Sequence, residues 1–172
     1  MSQEALVCII DDDEAIRESL RLLLYAGGVS SCVYESADAF LADPEPQAFD
    51  CMLLDIRMPG TDGLELFRIL NRRHLAFPVI FITGHGDIPL AVSAIKRGAY
   101  DFLTKPFREG EILERVQAAI EFYRSEKKYL LELQDLQGRV NGAGFNGGGV
   151  FDLTDPLSVS FVLEGDVQDV NV

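Results

Sequence analysis

The sequence predicts an α/β fold: a doubly wound parallel sheet of five strands. Three observations point there. Apolar stretches of strand length alternate with helical stretches, strand then helix, five times. The first of these stretches, Leu6 to Ile10, is continuously apolar rather than alternating, as a strand covered on both faces should be. The polar residues that carry chemistry gather where the apolar runs stop, and in such sheets ligands sit at the carboxyl ends of strands.

Taken in order, Leu6–Ile10 is the first strand and ends in Asp11-Asp12-Asp13-Glu14. The first helix follows, with Ile16, Leu20, Leu23 and Leu24 on its apolar face. Gly27-Gly28 closes it, as glycine does at helix ends. Val29–Tyr34 is the second strand. Ser36 caps a short helix, Ala37–Ala42, which Pro44 ends. Phe49–Leu54 is the third strand, cut off by Asp55 and the Pro59-Gly60 turn. Thr61 or Asp62 starts the third helix, with Leu64, Leu66, Phe67, Ile69 and Leu70 as its apolar positions. Pro78–Thr83 is the fourth strand, and Gly84-His85-Gly86 is a flexible turn. Asp87 is expected to cap the fourth helix, with Pro89 in the first turn, and Gly98 stops it. Tyr100–Leu103 is the fifth strand, and a long helix begins near Glu109.

The bulk composition narrows the function classes. A net charge of −13 and pI near 4.4 argue against a phosphate-backbone binder, which would show a basic stripe. Cys8, Cys32 and Cys51 each fall in a strand and form no Cys-x-x-Cys pair. They read as small buried hydrophobes in a reducing compartment. The sequence shows no apolar run of membrane-spanning length and no leader pattern, so a cytoplasmic setting is expected.

Asp11, Asp12, Asp55, Thr83 and Lys105 all lie at or just beyond the ends of strands one, three, four and five. Carboxylates held together repel one another, so the fold must supply a cation or keep a proton. A hard divalent ion, magnesium or manganese, suits oxygen ligands. Asp12 and Asp55 could ligate it directly, with Asp11 acting through a water. Such an ion would neutralise a phosphoryl group arriving at Asp55, and a carboxylate is a competent phosphoryl acceptor. Lys105 offers a positive charge to a phosphate oxygen, and Thr83 a hydroxyl. Asp13 and Glu14 are read only as complements to a helix dipole.

These residues sit in stretches that resemble a known family. Ile-Ile-Asp-Asp-Asp, Leu-Leu-Asp-Ile-Arg-Met-Pro-Gly-Thr-Asp-Gly, Val-Ile-Phe-Ile-Thr-Gly-His-Gly-Asp and Asp-Phe-Leu-Thr-Lys-Pro-Phe are similar to the CheY-like receiver domains of two-component response regulators. The Thr-Gly-His-Gly-Asp-Ile-Pro stretch looks like the FixJ-type subgroup. The resemblance implies a flavodoxin-like sheet of order 2-1-3-4-5 and phosphoryl transfer to Asp55 from a sensor histidine kinase. It implies metal ligation by Asp11, Asp12, Asp55 and the Arg57 main-chain carbonyl, with Thr83 and Lys105 on the phosphate. Inward movement of Thr83 would couple to rotation of Phe102, which lacks a tyrosine hydroxyl and must switch by packing alone. Gly84 would leave the site open to a donor. Arg57 and His85 flank the expected path of an attacking water, where the family tunes dephosphorylation. Ala91, Ile95, Lys96 and Phe102 are expected on the output face. The resemblance also makes the chain a phosphoacceptor rather than a turnover enzyme.

The chain divides, on this reading, into a receiver at 1–125, a helical extension at 126–140, and a glycine-rich linker with an acidic tail at 141–172, the glycine run itself starting at Gly138. Tyr129, Leu133, Leu136 and Val140 recur at coiled-coil spacing, which predicts pairing with a second copy. A FixJ-type regulator would continue into a helix-turn-helix domain, but the residues after the long helix show no such pattern and are acidic. No DNA binding by this chain is expected. Two other functions fit less well. One is the receiver part of a transcription regulator whose DNA-binding domain is absent. The other is a magnesium-dependent aspartyl-phosphate phosphatase of the haloacid dehalogenase type, suggested by Asp11-x-Asp13, but Ala15 stands two residues after Asp13, where that motif needs Thr or Val.

Overall fold

The computed structural model describes residues 4–43, 48–74 and 77–142, with the side chains of His85 and of residues 137–142 outside the described set. The chain divides into two compact units, Met1–Lys127 and Lys128–Val172. In the first, five strands form one parallel sheet of order β2-β1-β3-β4-β5. They are β1 (Leu6–Ile10), β2 (Ser30–Tyr34), β3 (Cys51–Asp55), β4 (Val79–Thr83) and β5 (Asp101–Thr104). The helices are α1 (Glu14–Ala26), α2 (Ala37–Ala42), α3 (Gly63–Arg72), α4 (Ile88–Ile95) and α5 (Glu109–Gly142), with a 3-10 turn at His85–Asp87.

The apolar pattern explains the layering. Every residue of β3 and of β4 is buried, as continuous apolar strands at the centre of a parallel sheet must be. One face carries Cys8, Ile10, Met52, Leu54 and Phe81 against Phe40, Leu66, Phe67, Leu70, Ala91 and Ala94 of α2, α3 and α4. The other carries Val7, Ile9, Leu53, Ile80 and Ile82 against Leu20, Leu24, Ile112, Val116 and Ala119 of α1 and α5. The helices thus cover both faces of the sheet.

Local chemistry sets the boundaries. Asp13 caps α1 through the amides of Ala15 and Ile16, Ser36 caps α2 through Ala39, and Asp62 caps α3 through Glu65. Asp87 stands at the N-cap of α4 but makes no side-chain capping bond, contrary to the sequence expectation. Its carboxylate is bonded elsewhere. Ala91 also departs from expectation, because it is fully buried and cannot meet a partner. In α4 the two small residues Ala91 and Ala94 face the sheet and let the helix pack close, while Leu90 and Val92 are exposed.

Helix α5 is apolar on its sheet side and then runs on. Tyr129, Leu130, Leu131, Leu133 and Leu136 are exposed large hydrophobes. Where the glycine-rich run predicted a linker from Gly138, the helix continues to Gly142. Extending an existing helix costs far less than starting one, which accommodates two glycines at its end. The linker and tail over 143–172, and the Val140 side chain, lie outside the described residues.

A candidate phosphoacceptor site

Four elements deliver the site to the carboxyl edge of the sheet. Asp11 follows β1 directly, Asp55 and Thr83 end β3 and β4, and Lys105 follows β5. Asp11, Asp55 and Thr83 are 1%, 5% and 0% exposed, so their polar groups must find partners inside the fold. Lys105 supplies the cation that the paired carboxylates require: its Nζ donates to Asp11 Oδ2 at 2.8 Å and to Asp55 Oδ1 at 2.7 Å. The Arg57 amide donates to Asp55 Oδ2 at 2.7 Å, and the Asp13 amide to Asp11 Oδ1 at 2.9 Å. Both oxygens of Asp55 are therefore held. The Lys105 amide donates to the Thr83 carbonyl at 2.7 Å, which ties the lysine to the end of β4. The Lys105–Pro106 peptide is cis.

Electrostatics follow from burial. Burial pushes the Asp55 carboxyl above its ordinary 3.8. The hydrogen bond and charge of Lys105 and the Arg57 amide oppose this, and the charge of Asp11 adds to it. Burial alone would lower Lys105. The hydrogen bonds and charges of Asp11 and Asp55 together outweigh that and leave it above 10.5. Lys105 is thus a permanent cation at neutral pH.

Asp12 is exposed beside this cluster. Among the described residues no three acidic, histidine or cysteine side chains converge in a metal-holding arrangement. The donor chemistry still suits a hard divalent cation. Asp11 and Asp55 present carboxylate oxygens, and one ammonium against two carboxylates leaves a net negative charge. The Thr83 hydroxyl donates to the neighbouring Gly84 carbonyl at 3.1 Å. Phe81 and Phe102 are register partners, as are Thr83 and Thr104, so by strand alternation Thr83 and Phe102 lie on one face of the sheet. Phe102 is half-buried against the core of that face. The His85 side chain, expected near the water path, is outside the described set.

Several contributors escaped the sequence reading. Gly63 opens α3 directly beneath Asp55, and a Cβ there would stand 2.1 Å from the Asp55 carbonyl oxygen, so only glycine fits. Gly60, which the sequence already placed in a turn, takes a positive φ of 75° there. Arg17 on α1 donates to the Asp11 carbonyl at 2.8 Å. Asp38 on α2 accepts the Thr61 hydroxyl at 2.6 Å and steadies the same turn. Asp87 binds Arg57 in place of capping α4. The available signal was the presence of opposite charges in two turns on one sheet edge.

A parallel sheet of order 2-1-3-4-5, with two buried aspartates bridged by a lysine and a buried threonine at its carboxyl edge, defines the CheY-like receiver class. The response regulator receiver domain model matches residues 7–117. The chain belongs to that family. It is 39% identical over 140 residues to the transcriptional regulatory protein FixJ of Bradyrhizobium diazoefficiens, covering 81% of this chain and 68% of that protein. It is 43% identical over 138 residues to the response regulator protein TodT of Pseudomonas putida, covering 80% of this chain and 61% of that protein. The chain thus spans about two thirds of the length of these relatives. Among solved structures, full-length FixJ from B. japonicum superposes with a TM-score of 0.69 at 38% identity, over 82% of this chain and 70% of that one. The response regulator StyR superposes with a TM-score of 0.71 at 36% identity, over 82% and 71%. No helix among the described residues is long and apolar enough to cross a membrane.

Proposed function

We propose that Asp55 accepts a phosphoryl group from a phosphohistidine of a sensor histidine kinase, and that the modified site switches dimerisation or partner binding. The observation that carries this reading is the setting of Asp55: a buried strand-end carboxylate whose Oδ1 meets Lys105 and whose Oδ2 meets a backbone amide. In the transfer, a carboxylate oxygen attacks phosphorus, the new P–O bond forms as the P–N bond breaks, and the donor imidazole leaves. Lys105 stays to bind a phosphoryl oxygen. Thr83, whose hydroxyl rests on a neighbouring carbonyl, is free to exchange that bond for another oxygen.

Magnesium or manganese would be held by Asp11, Asp12, Asp55 and the Arg57 carbonyl, and would neutralise the phosphoryl charge. The chain acts as a phosphoacceptor, not a turnover enzyme, and a cytoplasmic setting follows from its kinase partner. The curated relatives carry the names of whole regulators of which this chain matches about two thirds. Their names therefore favour a second reading, in which this sequence is the receiver part of a transcription regulator and the DNA-binding work is done by a separate domain.

Beryllofluoride, a phosphoryl mimic, tests the site with magnesium present. Wild type is expected to bind it, seen as a protein-bound 19F signal, and Lys105→Ala to stay folded with the signal weakened. A full signal in Lys105→Ala would contradict the assigned role of the lysine.

A further inference from the structure

Helices α3 and α4 pack on the same face of the sheet and run in the same direction, since each follows a parallel strand. A groove of about 170 Å³ lies between them. Its floor is Phe67 and Ala94, both buried, and Ala94 leaves the space open because it has no side chain beyond Cβ. Leu64 and Leu90, in the first turns of the two helices, line one end, and Leu90 is 37% exposed. Arg68 lines the groove one turn further along α3, and Arg97 lines it just past the end of α4. The groove is therefore apolar toward the carboxyl edge of the sheet and cationic away from it. Its lining includes no carboxylate. Beside it, Glu65 alone serves two guanidiniums, Arg68 at 2.8 Å and Arg72 at 3.3 Å. This leaves a local positive charge on a chain whose net charge is −13.

We propose that this groove docks an acidic amphipathic helix of a partner protein, with one leucine-sized side chain between Leu64 and Leu90 and carboxylates on Arg68 and Arg97. The spacing sets the pattern. Leu64 to Arg68 spans about 6 Å along a helix, and Leu90 to Arg97 about 10 Å. A partner helix meets both arginines when its carboxylates stand four and seven positions from the apolar anchor, on one face. The buried anchor supplies affinity, and the arginines fix direction and reject basic helices. A second copy offering the same groove would bring like charges together. Nucleic acid would meet the arginines but give Leu64 and Leu90 no matching apolar anchor, and the chain's net charge repels it. The groove and its charges do not involve Asp55, so this docking is independent of the acceptor reading.

The test titrates the full chain into a fluorescein-labelled, alanine-based peptide of about 16 residues, long enough to hold a helix, and reads anisotropy. The peptide carries one leucine, with glutamates four and seven positions on. Two controls replace the glutamates by lysines or the leucine by serine. Wild type is expected to bind the acidic peptide and neither control. Arg68→Glu and Arg97→Glu alter exposed side chains and should melt as wild type does. Each should weaken the acidic peptide about tenfold, and the double variant should take the lysine peptide instead. Arg21→Glu, on α1, should change nothing. The proposal is overturned if the acidic peptide does not bind, if the lysine or serine peptide binds as well, or if Arg68→Glu and Arg97→Glu leave the affinity unchanged. Binding that vanishes at the concentrations where light scattering reports a dimer would make a second copy the occupant, and overturns it too.

Discussion

Asp55 is a residue the fold keeps at a cost. Burial raises its carboxyl above 3.8, and Lys105 and the Arg57 amide only partly offset this. When the folded value lies above the unfolded one, the native state binds the extra proton. The stability this group contributes is then complete below about pH 3.8 and lost as pH rises through the folded value. Asparagine in its place does not titrate and still offers Lys105 a neutral acceptor oxygen. Asp55→Asn should therefore melt higher than wild type at neutral pH, with the advantage vanishing toward pH 3.8. Thermal unfolding across that range checks this, and a melting difference independent of pH would show that burial of the charge is not the source. Asp87 shows what a single position can conceal. Its place before Ile88 and Pro89 signals a cap, yet a guanidinium 30 positions away in sequence claims it. That choice depends on two turns meeting in space, and no local pattern encodes it.

At the scale of elements, the strands were the most legible part, because the runs of β1, β3 and β4 are apolar without interruption. Helix faces were legible where the residues were large. The small Ala91 misled, because an alanine carries little signal of its own about which side of α4 meets the sheet. Helix α5 is anchored where Ile112 and Val116 are fully buried and where Arg124 donates through two nitrogens to Asp50, the residue just before β3. Further along, Tyr129 is 60% exposed, Leu133 40% and Leu136 56%, more apolar surface than a helix leaves in water without a partner. A second copy is the expected cover. Light scattering with beryllofluoride should report a dimer for wild type and a monomer for a Leu133→Asp/Leu136→Asp variant that still binds the mimic. A wild-type monomer with and without the mimic would refute pairing through this helix.

For the whole molecule, fold and site were legible together for one reason. A doubly wound sheet sends its strand ends to one edge, so Asp11, Asp55, Thr83 and Lys105, read at strand ends, come to the same edge without long-range information, while Asp12 is exposed beside them. What the linear order did not reveal was how their charges balance. Lys105 bonds both Asp11 and Asp55, so the resting site is already neutralised in part by the chain itself. The central claim is that this arrangement exists to let Asp55 take a phosphoryl group. Its most direct test is to treat wild type with acetyl phosphate and magnesium, reduce the acyl phosphate with borohydride, and locate the altered residue by peptide mass spectrometry. The account predicts a single modification, at Asp55, that Asp55→Asn abolishes. Modification at Asp11 or Asp12 in wild type, or labelling that persists in Asp55→Asn, would contradict it.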